Sequence, residues 1–176
     1  MRWRVVVTGL AAALLSVACA VASPAYVGTG PVPGDPRPPG RAFDARVERV
    51  VDGDTLIATR AGRDLRVRLI GIDAPESVIP DVPPECYGVR ASTVLTRTLP
   101  VGNRIRAAYQ TGGRQDRYAR ELWDVWLRDG TFVQARLVRV GAAEAVAYAP
   151  QLEHADRLDD VETRAQRRDV GLWGAC

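Results

Sequence analysis

The chain has 176 residues, enough for one compact domain of ordinary size with an appendage, and its 47% apolar content supplies a real core. All 24 basic residues are arginine, against 21 acids; the formal charge of +3 falls to +1 if residues 1–22 are removed, because these carry Arg2 and Arg4 and no acid. Bulk charge therefore gives almost no argument for a nucleic-acid partner, and any such function has to be read from particular residues.

Residues 1–22 combine a basic start, an apolar run from Val5 to about Val17, and small residues after it, which reads as an export signal. The run is short for a membrane span, and Ala20-Val21-Ala22 before Ser23 fits small-residue cleavage. Cys19 keeps an alternative open, a lipidated N-terminus that tethers the protein to a membrane, although Ser16-Val17-Ala18 lacks the Leu usual in such signals. Residues 23–42 hold six prolines and four glycines without apolar periodicity, the composition of a disordered or extended linker. The globular domain is expected over 43–176.

Within it the first signals are β. Val47, Val50 and Val51, then Leu56 and Ile57, then Leu65, Val67 and Leu69 mark three short strands, with Asp52-Gly53 and Ala61-Gly62 as the turns of a meander. Pro75 ends the third run, and the Pro-rich segment 77–88 is an irregular loop. The spacing of Val89, Ala91, Leu95 and Leu99 predicts a short helix over 89–99. Ile105–Tyr109 and Leu122–Leu127 read as a fourth and a fifth strand, separated by a polar loop. A helix over 132–140 is capped by Gly141, a short extended piece follows at 143–148, and a last helix over 152–170 ends at Gly171. Five mostly antiparallel strands with three helices make an α+β, mainly β, domain built on a small Greek-key barrel.

The chemistry gathers between Asp52 and Glu76. Asp54, Asp73 and Glu76 are carboxylates on turns, and Arg66 and Arg68 lie on the strand between them. Hard cations take oxygen ligands and phosphates take arginine, so this set could hold a divalent ion, a water and a phosphodiester together. An EF-hand is excluded, because the twelfth position counted from Asp52 is Arg63, where a bidentate Glu is needed. Taken alone, Asp52-Gly53-Asp54 is an ordinary hairpin turn. The combination of two acidic turns, the Arg-bearing strand, and Asp116-Arg117-Tyr118-Ala119-Arg120 further on is what points to a site. His154, the one histidine, is expected at the surface or as a cap, Trp123 and Trp126 in the core, and Arg164, Arg167 and Arg168 on a solvated helix face. Once the signal is removed only Cys86 and Cys176 remain, an even pair in an exported protein, so a disulfide between them is expected.

The DGDT turn, the run Arg68-Leu69-Ile70-Gly71-Ile72-Asp73-Ala74-Pro75-Glu76, the Asp116–Arg120 segment, the Leu137-Val138-Arg139 helix end and the closing Gly171-Leu172-Trp173 follow one another as in a known family. In these motifs the chain resembles the staphylococcal nuclease family over residues 44–173. The resemblance implies an OB-fold barrel with three helices and a secreted, calcium-dependent endonuclease that acts on DNA and RNA and leaves 3′-phosphate ends. It implies Asp54, Asp73 and the Ala74 carbonyl as calcium ligands, with Asp52 near the metal. Glu76 matches the acid that holds or deprotonates the attacking water, and Arg68 and Arg120 match the arginines on the scissile phosphate. Arg117, Tyr118 and Tyr148 match positions lining the nucleotide pocket. Ala74 stands where the best-known member has Thr, which leaves the main-chain oxygen intact. The segment Tyr148-Ala149-Pro150 is shorter than the family's paired-tyrosine stretch, so one base-stacking aromatic is missing. A monomer without a stable protein partner is expected. The rival from another class is a catalytically silent OB module that binds nucleic acid or protein.

Overall fold

The computed structural model describes residues 30–78, 80–110, 114–147 and 152–176. Residues 1–22, where the sequence predicts an export signal, with Cys19 among them, the first part of the Pro/Gly-rich segment and Tyr148 lie outside the described residues.

The chain runs β1 (Phe43–Val50), β2 (Thr55–Arg60), β3 (Arg63–Leu69), β4 (Ile72–Asp73), α1 (Gly88–Thr98), β5 (Arg104–Ala108), β6 (Glu121–Trp126), α2 (Val133–Arg139), β7 (Glu144–Ala145), α3 (Ala155–Gln166) and α4 (Leu172–Ala175). Five of the strands close a barrel in the order β1-β2-β3-β6-β5, the architecture of an OB fold, while β4 and β7 form a separate two-stranded ladder. All barrel pairs are antiparallel except β3 with β6, whose parallel pairing completes the closure.

Alternation puts one row of each strand inside. Val47, Leu56, Ala58, Val67, Leu69, Ile105, Ala107, Trp123 and Val125 are fully buried there. A register shift between Val47 and Arg49 leaves an extra residue in β1, the kind of bulge that bends a strand around a barrel. Alternation directs Arg68, between Val67 and Leu69, to the other face, yet it too is buried. Its cover is the site described below.

The helices cap the barrel. α2 is buried on nearly every side, and its Gln134 substitutes for a neighbouring strand: Oε1 accepts from the Val125 N–H at 3.2 Å and Nε2 donates to the Trp123 carbonyl at 3.0 Å. The last helix starts at Ala155, three residues later than the spacing predicted, and a further single turn, α4, follows it. That turn docks through two glycines at positive φ. A side chain on Gly141 would meet the Val170 carbonyl oxygen at 2.0 Å, and one on Gly171 would meet the Gly141 oxygen at 2.4 Å. Only glycine permits this approach, which the Leu172 N–H to Gly141 carbonyl bond of 2.9 Å then fastens.

His154 occupies the N-cap position of α3 but is not a surface residue. It precedes α3 without a side-chain cap bond and packs half-buried against the rings of Phe132 and Trp126, with Nε2 3.6 Å from Asp124 Oδ2. Burial lowers its pKa, and burial raises that of Asp124 to about 7.

Cys86 and Cys176 form the expected disulfide, with Cα atoms 5.9 Å apart. The described part of the Pro/Gly-rich segment, 30–42, has no helix or strand, and it is strapped to the domain. Asp35, its side chain 1% exposed, accepts from Arg139 Nη2 at 3.0 Å and Arg157 Nη2 at 2.7 Å, which ties it to α2 and α3. The Pro36 carbonyl also accepts from the Trp126 indole at 2.8 Å.

Removing the Asp35 carboxylate leaves two partly buried guanidinium groups without it. Asp35→Ala is expected to destabilise the domain by about 2–4 kcal/mol in urea unfolding.

Candidate active site

The site is assembled around Arg68 near the end of β3. The β2–β3 register sets Arg68 opposite Thr55, so Asp54, which precedes Thr55, meets the guanidinium. Arg68 Nη1 is ion-paired with Asp54 Oδ2, and Nη2 contacts Asp73 Oδ1 at 2.5 Å. One arginine thus bridges the two carboxylates that the sequence nominated as metal ligands. Asp54 is further held from two sides: Oδ2 accepts from the Ala74 N–H at 2.9 Å and Oδ1 from the Thr55 hydroxyl at 2.9 Å. The Asp54 N–H in turn donates to Asp52 Oδ1 at 3.1 Å, which makes Asp52 the residue that shapes this turn.

Close approach explains Gly53 and Ala74. A Cβ at Gly53 would lie 2.5 Å from the Ala74 Cβ and 3.0 Å from that of Ala91 on α1. The acidic turn, the β4 end and the helix therefore touch only because these residues are small. Asp73 is fixed from the other direction. It pairs with Glu144 across β4–β7, and α3 holds β7 through Glu162, whose Oε1 accepts from the Ala145 N–H at 2.7 Å.

Glu76 stands three residues beyond Asp73 in the loop before α1, with its side chain exposed. Its backbone is clamped to Glu85: the Glu85 N–H donates to the Glu76 carbonyl at 2.9 Å, and Glu85 Oε2 accepts from the Glu76 N–H at 2.9 Å. The neighbouring Cys86 anchors the same loop to the C-terminus through the disulfide. Partial burial, then the charges of Asp54 and Glu85, raise the Glu76 pKa, which makes it a better proton acceptor.

Arg120 comes from the segment leading into β6, whose parallel register sets Leu122 beside Arg68. Its Nε donates to Asp116 Oδ2 at 2.7 Å, and Asp116 Oδ1 accepts from the N–H groups of Tyr118 at 2.9 Å and Arg120 at 3.0 Å. Burial pushes the Asp116 pKa up, but these bonds outweigh it and the net shift is downward. Arg117 and Tyr118 are exposed on this loop, with the Arg117 guanidinium 4.8 Å from the Tyr118 ring centre and that of Arg120 at 5.5 Å. Two supporting residues carry roles that the motifs did not announce. Asp116 has a signal in retrospect, an Asp opening a polar turn and bonding two residues ahead. Glu85, nine positions beyond Glu76 in a Pro-rich loop, has none.

Among the described residues no group of three or more His, Cys, Asp or Glu side chains converges to hold a metal ion. The nominated set needs no such group, since it consists of two carboxylates and a backbone carbonyl. A hard cation fits these oxygen donors. Burial and, less strongly, the charge of Asp52 raise the Asp54 pKa, with Arg68 opposing the rise.

A family model described as staphylococcal nuclease homologue matches residues 66–175. The thermonuclease of Staphylococcus intermedius is 38% identical over 127 residues, covering 72% of this chain and 74% of the relative. That of Staphylococcus hyicus is 35% identical over 128 residues, covering 73% and 74%. An uncharacterized endonuclease of Escherichia coli O157:H7 is 34% identical over 128 residues, covering 73% and 75%.

Asp54 provides a pH test of the metal-free site. Its folded-state pKa lies above the unfolded value, so the folded protein holds this proton more tightly. The stability it contributes is present below the unfolded pKa and is lost as pH rises through the folded one. With chelator present, Asp54→Asn is therefore expected to gain stability relative to wild type as pH rises from about 4 in urea melts. A pH-independent difference would show that Asp54 is not perturbed.

Proposed function

Because the chain belongs to the staphylococcal nuclease family and is an endonuclease that hydrolyses nucleic-acid phosphodiesters, we propose that it uses calcium to cut both DNA and RNA outside the cell, leaving 3′-phosphate ends. The observation that carries this reading is the buried Arg68 held between Asp54 and Asp73, with Glu76 three residues on. An arginine and two acids gathered at one barrel end offer phosphate recognition and cation binding side by side.

Asp54, Asp73 and the Ala74 carbonyl would hold the cation. When bound it supplies Lewis acidity and offsets negative charge on a phosphate oxygen. Arg68 exchanges carboxylate oxygens for those of the scissile phosphate, and with Arg120 it stabilises the charge that builds on the pentacovalent phosphorane. Glu76 orients a water in line with the P–O5′ bond and accepts its proton as the new O–P bond forms. The P–O5′ bond breaks, the phosphate stays on the 3′ side, and the 5′ oxygen leaves as a hydroxyl after taking a proton from solvent. Arg117 and Tyr118, exposed beside Arg120, and Tyr148 would contact the adjoining nucleotide.

The disulfide and the N-terminal export pattern support secretion of a mature chain that starts near Ser23. The mass of the mature N-terminus distinguishes this from a lipidated Cys19.

Digestion of single-stranded DNA and RNA tests the reading. Wild type is expected to cut both with calcium and neither with chelator, and Arg68→Ala to lose about 10² to 10³ in kcat, with Glu76→Gln at least as impaired. Chelator-insensitive cleavage, or full activity in both variants, contradicts it. Calcium should also raise the melting temperature, and more at about pH 8 than at about pH 5, because protons compete for Asp54. An equal shift at both pH values counts against the carboxylate site.

A further inference from the structure

β3 begins at Arg63, but its pairing with β6 begins only at Val67, so the first half of β3 extends past its parallel neighbour. The gap beside it is a cavity of about 530 Å³, and Arg60, Arg63 and Arg114 all line it. Glu121 is the one acid among the lining residues, and both its oxygens are engaged: Oε2 accepts from the Tyr109 hydroxyl at 2.5 Å and Oε1 from Gln115 Nε2 at 2.7 Å. Three arginines against one glutamate in the lining leave the cleft positive, a local feature that the near-balanced total charge conceals.

The cleft is also held in shape. The Arg60 guanidinium lies 3.6 Å over the Phe43 ring and donates to the Tyr109 hydroxyl at 3.1 Å. Arg114 sits 5.0 Å from the Tyr109 ring centre, and its carbonyl accepts from the Leu122 N–H at 2.8 Å. Arg63 and Arg114 are exposed. Arginine forks positioned in this way match phosphate oxygens.

The cleft and the active site lie at opposite ends of one strand. Arg63, Arg66 and Arg68 lie on β3, and five residues of strand place Arg63 roughly 17 Å from Arg68. That separation falls within the span of the ~4 to 16 nucleotides that an OB fold covers on a single strand. We propose that the Arg60–Arg63–Arg114 cleft binds a backbone phosphate of the same nucleic-acid strand that is being cut, several nucleotides from the scissile bond, so that long substrates are held at two points. This rests on the nuclease reading above. It adds a determinant of substrate length that Arg68, Glu76 and Arg120 do not supply.

The test compares wild type with Arg63→Gln, Arg114→Gln and the double variant, using Arg97→Gln on the exposed face of α1 as control. A dinucleotide and a single-stranded oligomer of about ten nucleotides serve as substrates. The expected result is a KM for the oligomer about tenfold higher in the double variant, with kcat and all dinucleotide kinetics unchanged. The slope of log KM against log salt for the oligomer should also fall by about 0.7 for each phosphate that the variant no longer neutralises. An equal rise in KM on both substrates assigns the arginines a structural role and overturns the proposal, as does no change on either. Equilibrium binding of a fluorescent oligomer in chelator decides the same point without catalysis: weaker binding by the double variant supports the cleft, and unchanged binding overturns it even if cleavage behaves as proposed.

Discussion

The bridge that Arg68 makes between Asp54 and Asp73 is the interaction on which the active end of this barrel depends. A buried arginine is costly unless its charge is matched, and the buried carboxylate of Asp54 is costly for the same reason. Each group makes the others tolerable. The small residues around them follow from this requirement, since Gly53 and Ala74 let the turn, β4 and α1 close over the arginine. Burial, with Asp52, raises the Asp54 pKa against the opposing charge of Arg68. In the function proposed above, the cation and the scissile phosphate would each take up part of this bridge.

The rest of the molecule restrains the parts of this site that cannot restrain themselves. Asp73 is placed by a two-residue ladder that α3 supports through Glu162. Glu76, in a Pro-rich loop, is fixed by reciprocal bonds to Glu85 and by the disulfide at the residue after Glu85. Arg120 is presented by a turn that Asp116 folds around its own carboxylate. Asp35 holds the approach segment onto α2 and α3, so the domain effectively begins before β1.

The barrel was legible in the sequence because its strands alternate, its turns carry Asp-Gly or Ala-Gly, and its second helix ends at a glycine. The disulfide was legible from the parity of the cysteines. Contacts between distant segments were not. Nothing local marks Asp35 as a residue that will be buried between Arg139 and Arg157, because proline-rich composition describes backbone conformation and not its docking. His154 showed no pattern that would place it beside Asp124 and two aromatic rings. The residue types of the active end could be nominated from the motif order. Its internal bonding, with both acids on one arginine and Glu85 behind Glu76, arises only when the barrel closes.

In the function proposed above, Arg68 and a divalent cation draw on the same two carboxylates. Calorimetric titration of calcium into folded wild type and folded Arg68→Gln tests it directly, in the absence of nucleotide. Removing the guanidinium takes away both a competitor for Asp54 and Asp73 and a nearby positive charge, so Arg68→Gln is expected to bind calcium several-fold more tightly. Unchanged or weaker calcium binding by the variant would contradict it.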